Sequence, residues 1–252
     1  MILNISERKL TVIENGIYHF ELSGYPNITK LELNKIITFM KYEKSYGRQI
    51  EIICKDANVI SAINDAILDM SESFLPVAEN NFVYHATNFN AAQKILSEGK
   101  LLSAVKVHNK TGKELSFEKR QSLWNDPADY FEHIMFCWGE NPTGDYVVLS
   151  EDLPKEDDLV NGNFNAGIRF YFLYEKIIRH PKHAFDGYHS IKIKDEIMLA
   201  DYLHSCIIPE QYKNGLANRI PSNLLSKVHY LSQDRLGISS WNEKVYGFVN
   251  NL

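Results

Sequence analysis

The chain has 252 residues, 44% of them hydrophobic and 12% aromatic, which supplies apolar material for one large domain or two small ones and excludes a disordered tail. With 27 Lys+Arg against 32 Asp+Glu the formal net charge is -5, so the whole molecule does not attract a polyphosphate, and a nucleic-acid partner needs a local basic groove. Three cysteines, Cys54, Cys137 and Cys206, lie far apart with no CxxC pair, which excludes a disulfide framework or a zinc module and fits a reducing compartment.

The first residues, Met1-Ile2-Leu3-Asn4-Ile5-Ser6-Glu7, lack a basic start followed by an apolar run, and no stretch of about 18 apolar residues occurs. The expectation is a soluble, cytoplasmic protein with no membrane partner. Two short strand patterns, Leu10 to Ile13 and Ile17 to Leu22, flank Glu14-Asn15-Gly16, and Asn-Gly is a hairpin-turn signal. Thr29 with Glu32 makes a capping box for a helix whose apolar face carries Leu33, Ile36, Ile37 and Met40, with Gly47 as its stop. Gln49 to Cys54 reads as a buried strand, and a second helix carries Ile60, Ile63, Ile67 and Met70 on one side. Residues 1–75 are therefore expected to form a ββαβα accessory unit with a packing, binding or regulatory role. The small and polar residues of Ser71 to Asn80 read as a linker.

Residues 76–252 read as a second domain. Phe82 to His85 is a short strand, Thr87 or Asn88 can cap a helix through Ile95 and Leu96, and Gly99 ends it before a strand at Leu101-Leu102. Further strands are expected at Ile134 to Trp138, Tyr146 to Leu149, Ile168 to Tyr174, Ile197 to Leu199 and Cys206 to Ile208, with polar loops between them. That pattern points to an α+β fold with a mixed, mostly antiparallel sheet. The acidic segment Glu151 to Asp158 reads as a solvated loop.

Tyr84-His85-Ala86-Thr87, followed by Ala92-x-x-Ile95-Leu96-x-x-Gly99-x-Leu101-Leu102, resembles the opening of the His-Tyr-Glu branch of the ADP-ribosyltransferases, with Ala86 where glycine is usual. Lys194-Asp195-Glu196-Ile197-Met198-Leu199, then Cys206-Ile207-Ile208-Pro209, resembles the strand opened by that family's catalytic glutamate, the strand after it and a proline exit. Phe117-Glu118-Lys119-Arg120 and Asp129 to Trp138 are similar to the DarT-type enzymes that modify DNA bases. The resemblance covers roughly Asn81 to Gln211 and implies an ADP-ribosyltransferase-like fold with NAD as substrate.

On that resemblance Glu196 is the catalytic carboxylate. Cleaving the nicotinamide–ribose bond passes through an oxocarbenium-like state, which a fixed carboxylate stabilises while it holds the ribose 2′-hydroxyl and can orient or deprotonate a nucleophile. Arg120 is expected at the pyrophosphate or the reaction centre. His85, Ala86 and Thr87 are expected to bind NAD, His85 through a hydroxyl of the adenosine ribose and Ala86 through backbone groups on the nicotinamide amide. Tyr130, Phe136, Trp138 and Tyr146 are the candidates for stacking on nicotinamide. The stretch before the glutamate, with Arg179, His180, Lys182, His183, Tyr188 and His189, is basic and aromatic, which suits single-stranded DNA or RNA as acceptor. Lysine at position 194 disfavours an arginine acceptor.

The implied biology is a bacterial toxin or phage-defence effector, with an antitoxin protein as a possible partner. Alternatives are an NAD glycohydrolase or RNA 2′-phosphotransferase of related fold, or a non-catalytic nucleotide-binding module. For single residues the simpler readings are a structural His85, a solvated Glu196 and Arg120, and a buried sheet face for Phe136 and Trp138. His180, His183 and His189 have no carboxylate at firm spacing, so no metal is expected. Gly-x-Ser-x-Gly, Walker-type and Gly-x-Gly-x-x-Gly motifs are absent, which removes the commonest hydrolase, kinase and Rossmann readings.

Overall fold

Where Thr29 precedes Glu32, a helix begins as the capping box requires. The Thr29 hydroxyl accepts the Glu32 N–H at 3.2 Å and the Glu32 carboxylate accepts the Thr29 N–H at 2.8 Å. The protein is described here as a computed structural model covering residues 1–6, 12–14, 17–69, 78–119, 127–149 and 154–252. The expected Asn15-Gly16 turn, positions 71–77 of the expected linker, and Arg120 lie outside these residues.

In chain order the elements are β1 (Ile2–Ser6), β2 (Val12–Glu14), β3 (Ile17–Glu21), α1 (Lys30–Ser45), β4 (Glu51–Ile53), α2 (Ala57–Asp69), β5 (Phe82–Thr87), α3 (Phe89–Glu98), β6 (Lys100–Leu102), α4 (Ala104–His108), α5 (Gly112–Lys119) and β7 (His133–Trp138). They continue with α6 (Thr143–Leu149), α7 (Glu156–Val160), β8 (Ile168–Leu173), α8 (Tyr174–Ile177), β9 (His183–Ala184), β10 (Ile191–Lys194), β11 (Glu196–Met198), α9 (Leu199–Tyr202), β12 (Leu203–Pro209), α10 (Lys213–Leu216), β13 (Val228–Leu231) and α11 (Ile238–Val249). No helix among the described residues is long and apolar enough to cross a membrane.

Two compact units result. The first holds Met1–Val77, Ala104–His133 and Ala184–Lys192, and the second holds Ala78–Ser103, Ile134–His183 and Ile193–Leu252. In the first unit a four-stranded sheet has the order β2-β3-β1-β4. The hairpin β2–β3 is antiparallel as the sequence suggests, but β1 lies between β3 and β4, parallel to both. It is an element beyond the expected ββαβα, and only Leu3 and Ile5 turn inward from it.

The three segments of the first unit meet around buried charge. Arg48 bonds Glu43 and Asp129, both at 2.5 Å, and the Tyr42 hydroxyl donates to Asp129 at 2.7 Å. The Lys192 ammonium, with no exposed surface, reaches Asp186 at 2.7 Å and lies 3.1 Å from the Tyr130 ring centroid. Desolvating these charges is costly, and the pairing and ring contacts offset that cost.

The second unit is built on strands β13-β12-β8-β5-β7 of a seven-stranded sheet whose order continues β10-β9, while β11 and β6 form a separate antiparallel pair. The pairs β5–β7, β5–β8 and β8–β12 are antiparallel and β12–β13 is parallel. The fold is thus mixed α+β with a large, mostly antiparallel sheet. Two expectations need correction. Residues 146–149 are helical, in α6, because Pro142 and the Asn141 side chain, which accepts the Thr143 N–H at 2.9 Å, start a helix that overrides β-branched propensity. The polar loops expected between the strands include the helices α7, α8 and α9, and beyond the last expected strand lies α11, whose Ile238, Trp241, Asn242, Val245 and Val249 recur at helical spacing and are buried.

Candidate functional site

Successive residues of a strand face opposite sides, and β5 uses both. Phe82, Tyr84 and Ala86 pack into a core with Tyr171, Trp241 and Val245. His85 turns the other way, its ring 6.2 Å from that of Phe136 and its Nδ1 3.1 Å from the Met135 carbonyl. A carbonyl only accepts, so Nδ1 carries the proton and Nε2 keeps its lone pair. Burial lowers the His85 pKa, which favours this neutral, accepting form. The Ala86 methyl enters the core on the side away from His85, so its Cβ does not crowd the histidine face. Thr87 is buried and pairs with Ile168 on β8.

The chain then turns into α3. Asn88 caps it by accepting the Ala91 N–H at 2.9 Å, and Gly99 closes it at φ 67°. The strand that follows, β6, pairs with β11 so that Glu196 stands opposite Leu102. Asp195, at φ 67°, makes the sharp bend before it. Its side chain bonds Lys182 at 2.7 Å and its carbonyl accepts the Ser103 N–H at 2.8 Å. Glu196 therefore opens β11 as an exposed carboxylate, with Lys100 of β6 at 3.7 Å. An exposed pair at that distance is worth about 0–1 kcal/mol and yields readily to a ligand.

Beneath β5 a polar cluster holds α6. The Tyr84 hydroxyl donates to the Asn141 carbonyl at 2.8 Å and accepts the Gly144 N–H at 3.1 Å. Arg169, wholly buried, binds Asp145 in a bidentate pair and reaches Tyr171 at 3.0 Å and Asn242 at 2.9 Å. Burial disfavours the guanidinium, but the Asp145 charge outweighs it and holds Arg169 protonated.

The aromatic candidates separate by environment. Phe136 has no exposed surface, and Tyr130 is 1% exposed and belongs to the first unit. Trp138 is half-buried against Tyr174, and Tyr146 on α6 is 45% exposed. Only the last two keep accessible ring surface. In the basic stretch Arg179 and Lys182 are exposed, His180 is buried, and His183 is half-buried with its Nδ1 2.7 Å from the His180 carbonyl. Tyr188 and His189 belong to the first unit, where His189 bonds Asp186 at 2.8 Å.

Lys100 was not singled out from the sequence, because only the β6–β11 pairing brings it to Glu196. Among the described residues His85 and Glu196 share no direct bond, and what connects them is the path β5–α3–β6–β11. No protein-family model matches the chain, and no curated protein or solved structure matches it.

Proposed function

We propose that the protein is an NAD-dependent ADP-ribosyltransferase that modifies a macromolecule. The observation that carries this reading is the pairing of Glu196 with Leu102, which fixes an exposed carboxylate on the strand next to the one that follows the His85 strand and helix. His85 contributes a neutral Nε2 acceptor, the form needed to receive a hydrogen bond from a ribose hydroxyl. In the reaction the C1′–nicotinamide bond breaks and its electrons leave with nicotinamide. The carboxylate of Glu196 holds the 2′-hydroxyl and stabilises the positive charge that develops on the ribose. A nucleophile of the acceptor then bonds C1′ and yields its proton to Glu196 or to water. Trp138, paired with Val83 on the His85 face of β5, supplies an accessible ring for the nicotinamide. The test is transfer of label from NAD carrying ³²P in its adenylate to nucleic acid or protein in a cell lysate. The reading expects labelled acceptor with wild type and about 10² to 10³ less with Glu196→Gln; an unlabelled lysate in both cases overturns it.

A further inference from the structure

Three stretches of the second unit, distant in sequence, bring cations to the neighbourhood of α9 and its Tyr202 ring. Tyr202 ends α9, and its half-buried ring lies 5.1 Å from the His180 ring and 5.8 Å from the Lys176 ammonium. Arg179 follows Lys176 by one turn, its N–H bonded to the Lys176 carbonyl at 3.2 Å, and both side chains are exposed. From the third stretch Lys227 reaches over to donate to the Leu203 carbonyl at 2.7 Å. The 3-10 turn that carries it, Ser222–Lys227, packs on α9. Next to Leu203, His204 packs its ring 4.9 Å from Phe82.

Lys227 feels the charge of Lys176, and His204 that of Lys227. The Lys227 pKa is lowered by burial and by the charge of Lys176, with Asp201 opposing, and that of His204 by burial and by Lys227 and His229. Among the described residues no carboxylate forms an ion pair with Lys176, Arg179 or Lys227. In a chain of net charge -5, Lys176, Arg179 and Lys227 come together with Asp201 as the one carboxylate felt at Lys227, which leaves the patch locally basic and suited to an anion. An aromatic ring among them adds what a lipid headgroup or an acidic peptide does not use, a flat surface for an unpaired base.

We propose that Lys176, Arg179, Lys227 and Tyr202 form a docking face for a single nucleic-acid strand, in which the cations contact phosphates and Tyr202 stacks a base. The face adjoins the candidate carboxylate, since α9 begins directly after β11 and packs against it. Its role as the acceptor site rests on the transferase reading above; the binding does not.

The experiment is fluorescence anisotropy of fluorescein-labelled 16-nucleotide DNA and RNA, single-stranded and duplex, titrated with the full chain in the absence of NAD at 50 and 200 mM salt. Wild type binds single strands and weakens steeply with salt. Lys176→Glu with Arg179→Glu, both at exposed positions, weakens binding at least 10-fold. Lys30→Glu with Lys41→Glu, the same change in net charge elsewhere, weakens it less than 2-fold. Tyr202→Ala weakens single strands more than duplex, and Lys227→Gln is a milder second variant of the face. Comparison of the DNA and RNA arms names the sugar. No binding by wild type, equal binding by the two charge-reversed pairs, or full competition by polyglutamate or by vesicles of phosphatidylcholine and phosphatidylserine overturns the proposal. Because nicotinamide release plays no part in the readout, failure here and failure of the transferase reading are told apart.

Discussion

Arg169 on β8 and Asp145 on α6 form an ion pair from which solvent is wholly excluded, and the same guanidinium also bonds Tyr171 and Asn242. Removing one partner of such a pair strands the other charge without water or counter-ion. Arg169→Met and Asp145→Leu should each lower stability by about 3–5 kcal/mol, whereas the two changes together should cost less than their sum. Urea denaturation of the three variants checks this, and additive losses would show that the two residues do not act as a pair.

The Tyr84 hydroxyl both donates and accepts where β5 meets α6. Tyr84→Phe leaves the Gly144 N–H, a buried donor, without that partner, for an expected loss of about 1–3 kcal/mol. A variant as stable as wild type would mean that water replaces the hydroxyl. The ring itself stacks on Tyr171 at 5.3 Å and should hold its place.

Burial lowers the His85 pKa, so at a pH between its folded and unfolded values the unfolded chain holds the extra proton. Stability therefore rises with pH through this window, up to about 1.4 kcal/mol per pH unit for each proton, and is lost as pH falls below the unfolded value near ~6.5. His180, His204 and His229 shift in the same direction. Urea midpoints between pH 5 and 8 should show a shallower slope in His85→Gln than in wild type. On the transferase reading nicotinamide release by the folded protein holds through this window, where Nε2 stays neutral, and falls only below the folded value, where protonated Nε2 can no longer accept.

Gly187 sits at φ 70°, where an added Cβ would lie 2.1 Å from the Lys35 carbonyl of α1. Both residues belong to the first unit, and the Tyr18 hydroxyl donates to the Gly187 carbonyl at 3.1 Å. Gly187→Ala combines a left-handed backbone with a clash against main chain, so a loss of about 2–4 kcal/mol is expected. A thermal melt unchanged from wild type would contradict that geometry.

Local chemistry was readable wherever neighbouring residues decide the outcome. The Thr29–Glu32 box, the Asn88 cap with the Gly99 stop, and the strands that contain His85 and follow Glu196 are all set within a few residues. What was hidden depends on partners remote in sequence. The alternation of Ile191-Lys192-Ile193-Lys194 suggests outward lysines, yet Lys192 is wholly buried because Asp186, Tyr42 and Tyr130 surround it. Residues 104–133 and 184–192 carry no linker signal that would announce their place in the first unit. The cations near α9 come from three segments that only the fold assembles. At Glu196 the sequence supplied the position, and the pairing with β6 supplied the neighbour, Lys100.

Whether Glu196 is catalytic is decided by nicotinamide release from NAD by purified wild type and Glu196→Gln, with and without single-stranded DNA, RNA and lysate protein. Wild type should release nicotinamide, faster with the true acceptor, and Glu196→Gln about 10² to 10³ less. Equal release by both proteins, or none by wild type under any of these conditions, would contradict it.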